Sequence, residues 1–114
     1  MREKRLESRC LCAHLVRVDG PGGTVMAVLE DISPLGGCVQ VEEPIPLGSP
    51  VVLSIGDSAF RGHVCYCVFR DYGYFVGVRF AEDTVWSRDQ VVPQHLTDLR
   101  TIAVQAGKEV ITDL

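Results

Sequence analysis

Between Cys10 and Phe80 the apolar residues come in short runs, each cut by turn formers. Cys10 to Val18 is apolar with interspersed polar positions and is broken by Asp19-Gly20-Pro21-Gly22-Gly23. Thr24 to Glu30 is a second β-rich run, and Cys38 to Glu42 alternates with a period of two after Gly36-Gly37. Strict alternation places every second side chain on one face, which is the signature of a half-buried strand. Pro44, Pro46 and Gly48-Ser49-Pro50 make a rigid connection to a fourth strand, Val51 to Ile55. Gly56-Asp57-Ser58 is a turn, Ala59 to Arg70 a long fifth strand, and Asp71-Tyr72-Gly73 a hairpin turn into Tyr74 to Phe80. Six short strands joined by turns predict an antiparallel barrel or sandwich.

The period then changes. Val92, Leu96, Leu99 and Ala103 recur at helical spacing, with Pro93 suited to a first turn and Gly107 to a stop. The pattern predicts an amphipathic helix over about 92–106 that packs against the barrel, with Trp86 between the two and His95 in its first turn. Residues 108–114 read as a tail.

A chain of 114 residues fits one domain. Its net charge of -4 argues against DNA, RNA or an anionic membrane as a broad partner, because those need basic surface. Charge is unevenly placed, however: Arg2, Lys4, Arg5 and Arg9 face only Glu3 and Glu7 in the first nine residues. A local basic arm on an acidic protein suits a compact anion. No apolar signal core and no run near the roughly 20 residues of a membrane helix is present, so the cytoplasm and no membrane insertion are expected.

Five cysteines, an odd number, fit a disulfide framework poorly. Cys10 and Cys12, and Cys65 and Cys67, form two Cys-x-Cys pairs in strand-like segments, with Cys38 alone. Small apolar side chains filling a barrel interior is the expected reading; zinc held by the thiolates and redox chemistry are the alternatives. His14, His63 and His95 lack metal spacing, so no metal site is expected. No nucleophile elbow or phosphate loop is present, and nothing points to an enzyme.

Two motifs carry candidate chemistry. Lys4-Arg5-Leu6-Glu7-Ser8-Arg9 contains an Arg-x-x-x-Arg, and Asp31-Ile32-Ser33-Pro34-Leu35-Gly36 is an Asp-x-Ser-x-x-Gly at the bend between the second and third strands. A guanidinium matches guanine O6 and N7, or two phosphate oxygens, and stacks on a purine face. A carboxylate accepts from guanine N1–H and N2–H, and a serine hydroxyl adds a further donor or acceptor. A glycine permits close backbone approach. The set suits a small anion bearing guanine.

These motifs, in this order and separation, resemble those of the PilZ domain, the bacterial receptor module for cyclic di-GMP. Tyr74-Phe75-Val76-Gly77-Val78-Arg79-Phe80 is similar to the last strand of that family. The resemblance spans about Lys4 to Gly107. It implies a mainly β fold, a six-stranded antiparallel barrel with a C-terminal α-helix, as a single domain over 1–107 with a basic arm at 1–9. It implies that Arg5 and Arg9 contact guanine and phosphate, that Asp31 and Ser33 bond a guanine edge, and that Gly36 lets the loop turn close to the ligand. Lys4 stands where many members carry a further arginine; it keeps the charge and loses the planar fork. Arg2 assists where a second ligand molecule binds. The expected function is a cyclic di-GMP receptor, without cofactor, that changes conformation and relays the signal to an unidentified effector protein. The alternative is a nucleotide-independent interaction adaptor on the same scaffold.

Overall fold

The computed structural model describes residues 9–98. Six strands form the barrel: β1 (Cys10–Gly20), β2 (Gly23–Ser33), β3 (Gly36–Val41), β4 (Pro50–Ile55), β5 (Ser58–Arg70) and β6 (Gly73–Phe80). All pairings are antiparallel, in the order β2-β3-β6-β5-β4-β1, and a β1–β2 pairing closes the ring. The alternation read from the sequence is what buries one face. Val16, Val18, Leu29, Ile32, Val39, Leu53, Ile55, Val64 and Val76 point inward and are sealed from solvent. Phe60 stacks on Phe80 with ring centroids 5.2 Å apart. Cys10 and Cys12 belong to this core.

Two irregularities reshape the ring where β1, β2 and β3 meet. In β1 the register shifts between Leu11 and His14, and in β2 it shifts between Leu29 and Asp31. Glu30 is therefore an extra residue opposite β3. A bulge places two successive residues on the same side of the strand: Glu30 and Asp31 both stay partly exposed between buried Leu29 and buried Ile32. The second strand thus runs on through Asp31 and Ser33, and only Pro34 and Leu35 remain for the turn.

After β6 the chain crosses back to the barrel wall. Trp86 is buried; its backbone N–H donates to the Pro34 carbonyl at 3.0 Å and its indole Nε1–H to the Val91 carbonyl at 2.9 Å. The helix expected from residue 92 does not begin there. The Gln94 N–H donates to His14 Nδ1 and the Gln94 carbonyl accepts from the Ala13 N–H, both at 3.0 Å. His95 has φ +61°, outside helical geometry, and Thr97–Asp98 forms a short strand, β7, paired with β1 at Cys10 and Leu11. Pro93 is buried and Leu96 half-buried against the core, whereas Val92, which heads the expected apolar stripe, is exposed. The rest of the expected helix, residues 99–106, lies outside the described residues, as do Arg2, Lys4 and Arg5.

Candidate functional site

Arg9 enters just before β1, and the bulged β2 brings Asp31 to meet it. Arg9 Nη2 donates to Asp31 Oδ2 at 2.6 Å, with the arginine side chain about half exposed and the aspartate largely covered. The carboxylate beside it raises the Arg9 pKa, so the guanidinium stays charged. The pair borders a pocket of about 380 Å³ on the outer wall of the barrel.

The ladder register explains what else lines that pocket. Leu11, Asp31, Cys38, Gly77 and Tyr66 stand opposite one another across β1, β2, β3, β6 and β5. The next outward row is Val28, Gln40, Phe75 and Val68. Gly77 has no side chain, and the Tyr66 ring lies in the space a Cβ would take. The ring is packed against the Gly77 backbone yet Tyr66 keeps 42% of its surface exposed, so it presents an accessible aromatic surface. Burial, followed by a hydrogen bond with Cys38, raises the Tyr66 pKa. The Cys38 thiol is also raised, chiefly by burial. Both groups stay neutral near pH 7. Arg70 places its guanidinium 5.2 Å above the Phe75 ring, at the far side of the same pocket.

The lining charges are Arg9 and Arg70 against Glu30 and Asp31. Glu30 is held above its ordinary pKa by burial and then by repulsion from Asp31. Such a site offers an aromatic face, two guanidinium forks and a carboxylate acceptor in one concavity, the set that binds a purine nucleotide. A larger groove of about 870 Å³ lies along the hairpin end of β2; its charged lining residues are Glu42 and Glu43, and it is unsuited to an anion.

Ser33 and Gly36 do not line the smaller pocket. The Ser33 hydroxyl is buried and donates to the Gly36 carbonyl at 3.3 Å, closing the hairpin. Gly36 makes its close approach to β6. A Cβ there would fall on the Val78 carbonyl oxygen, with Arg79 Cα and Val78 C at 3.4 Å, and its φ is not positive. Tyr66, Arg70 and Phe75 were missed by reading the sequence. The available signal was Gly77, an unexplained glycine in a strand, which marks a close neighbour on the next strand.

A family model for the PilZ domain matches residues 3–93. The chain belongs to the PilZ domain family. PilZ domains are generally cyclic di-GMP receptors, and the matched span contains both motifs and every residue lining the pocket. No curated protein matches the sequence. Within this PilZ barrel the five cysteines form no disulfide: Cys10, Cys12 and Cys38 are buried, Cys67 half-buried and Cys65 exposed. Among the described residues no group of three or more His, Cys, Asp or Glu side chains is placed to hold a metal ion. No helix among them is long and apolar enough to cross a membrane.

Proposed function

We propose that this PilZ domain is a cytoplasmic receptor for cyclic di-GMP, acting without cofactor or catalysis and relaying occupancy to an effector protein. The observation that carries the reading is the 2.6 Å Arg9–Asp31 pair at the rim of a pocket that also holds Tyr66 and Arg70. Each part has a chemical task. Arg9 and Arg5 grip phosphate and the guanine Hoogsteen edge, with Lys4 as a point charge. Asp31 accepts from guanine N1–H and N2–H. A base lies on the Tyr66 ring, and such stacking is worth about 1–3 kcal/mol per base. Ser33 and Gly36 act by holding the β2–β3 turn, so that Asp31 is presented by a rigid hairpin.

Asp31 is already engaged by Arg9, so ligand entry exchanges partners. Arg9 turns toward the ligand as guanine donors replace it at the carboxylate. That rearrangement is the conformational change available for relay, because the arm preceding Arg9 carries Lys4 and Arg5 and follows the ligand.

The test is calorimetric titration of the purified chain with cyclic di-GMP, with GTP as control, repeated for Arg9→Ala and Tyr66→Ala. Saturable binding that is lost in Arg9→Ala and weakened in Tyr66→Ala supports the receptor reading. No heat and no amide shift at millimolar ligand leaves the adaptor role on a PilZ scaffold and overturns the proposal.

A further inference from the structure

β2 is paired with β1 without interruption from Gly23 to Leu29, but with β3 only from Val28 onward, where Val28 stands opposite Gln40. β3 stops at Val41, and the chain leaves the ladder through Glu42-Glu43-Pro44-Ile45-Pro46. Pro44 and Pro46 have no N–H to donate, which ends the pairing there. Gly23 to Ala27 is therefore a free sheet edge, with no backbone hydrogen bond on that side among the described residues. Free edges are normally blunted by charge, proline or a bulge; Gly23-Thr24-Val25-Met26-Ala27 has none of these. The edge runs beside the groove of about 870 Å³, whose opposite wall includes Val41, Glu42, Glu43 and Ile45. Val25 and Met26 leave 42% and 56% of their surface exposed along it. The groove's charged side chains, Glu42 and Glu43, are both acidic.

We infer that this edge binds an extended segment of a partner protein as an added β-strand, with apolar side chains in the groove and Lys or Arg residues facing Glu42 and Glu43. Five free residues give roughly 17 Å of edge at about 3.4 Å per residue, enough for one short strand. Main-chain pairing supplies the affinity of such additions, and the groove and its charge supply the choice of partner. A second copy of this chain is the poorer occupant, because joining two identical edges crowds Glu42 and Glu43 from both copies on a protein of net charge -4. The inference is independent of the nucleotide reading: it uses the hairpin end of β2, whereas Asp31 lies at the other end.

The experiment is an amide NMR titration of the full chain with two blocked peptides, Lys-Val-Lys-Val-Thr-Val-Lys and Glu-Val-Glu-Val-Thr-Val-Glu. The expected result is saturable binding of the basic peptide alone, with shifts and slowed hydrogen exchange centred on the Gly23 to Ala27 amides. Glu42→Lys combined with Glu43→Lys, both solvent-facing, should weaken the basic peptide about tenfold, as reversal of two exposed charges implies, and admit the acidic one. Any of four results overturns the inference. These are no binding at millimolar peptide, equal binding of both peptides, changes centred away from the edge, or edge amides already protected in the free chain by a second copy.

Discussion

Replacing Gly36 with alanine separates a structural from a ligand-facing role for the motif glycine. The added methyl meets the Val78 carbonyl oxygen inside 3.0 Å, closer than real Cβ atoms come, and has Arg79 Cα and Val78 C at 3.4 Å. All three are backbone atoms of β6, so no rotamer change relieves the overlap. The end of the β3–β6 ladder, where Gly36 stands opposite Arg79, must open. Opening costs one or two backbone hydrogen bonds, at about 1 kcal/mol each. It also loosens the anchors of the turn: the Phe80 N–H to Leu35 carbonyl bond at 2.8 Å and the Trp86 N–H to Pro34 carbonyl bond at 3.0 Å. Against this, alanine in a strand regains about 0.5–1 kcal/mol of backbone entropy. The net expectation is a loss of about 1–3 kcal/mol, or roughly 4–15 °C in Tm for a domain of this size. Thermal melting followed by circular dichroism reads it. Gly22→Ala is the control: nothing lies within 4 Å of its Cβ and its φ is ordinary, so it should be neutral or slightly stabilising. If Gly36→Ala melts with the wild type yet loses cyclic di-GMP, Gly36 faces the ligand and the packing argument is wrong.

Three further outcomes follow from the site. Arg9→Ala and Asp31→Ala should couple in stability by no more than about 1 kcal/mol, the range for exposed pairs, in a double-mutant denaturation cycle. Glu30 has a raised folded pKa, so its contribution to stability is full below the ordinary carboxylate range and is lost as pH rises through the raised value. Ionised Glu30 also opposes an anion, so cyclic di-GMP affinity should rise as pH falls toward that value; Glu30→Gln should flatten the titration profile, and a wild-type slope in that variant refutes the assignment. The Cys12 pKa is pushed up to about 12 by burial, and Cys38 is raised for the same reason. In native protein at pH 8, mass-resolved alkylation should therefore modify Cys65 while sparing both, and rapid modification of Cys12 would contradict its burial.

The strands were legible because period-two alternation in this chain coincides with which face is buried. Where the period breaks, so did the reading. Leu29-Glu30-Asp31-Ile32 has two polar residues together, and the sequence suggested a strand end at Glu30; the structure keeps the strand and inserts a bulge. That bulge turns Glu30 and Asp31 to the same outer wall, which residue spacing does not announce. Motif order assigns Arg9 and Asp31, separated by 22 positions, to one ligand, and the structure brings the two side chains into direct contact, which the motifs do not announce. Tyr66 and Arg70 were invisible by the same logic: they reach the pocket through four strand pairings, and local sequence does not specify register. The helical spacing of Val92 and Leu96 does not start a helix at residue 92, because tertiary bonds from Gln94 to Ala13 and His14 override local periodicity there, and residues 99–106 lie outside the described residues.

The charges lining the pocket limit where ligand affinity comes from. Arg9 and Arg70 are balanced by Glu30 and Asp31, so the described wall is neutral overall when Glu30 is ionised. Cyclic di-GMP carries two phosphate charges. Unit charges 4 Å apart interact by about 4 kcal/mol near a protein surface, so Asp31, closer still to Arg9, cancels most of that arginine's pull on an anion. The wall supplies shape, stacking and guanine recognition; net attraction falls to Lys4 and Arg5, with Arg2 adjacent. Each charge-assisted contact is worth about 1.5–3 kcal/mol, so Lys4→Ala combined with Arg5→Ala should lower affinity at least about a hundredfold. Tm should be unchanged, because the six barrel strands are complete within residues 10–80. Calorimetry with cyclic di-GMP in low and high salt measures this, and the wild-type affinity should weaken with salt as screening shortens the reach of these charges. Full affinity in the double variant would mean that Arg9 leaves Asp31 completely on binding and that Arg9 and Arg70 hold both phosphates, which would remove the N-terminal arm from the mechanism.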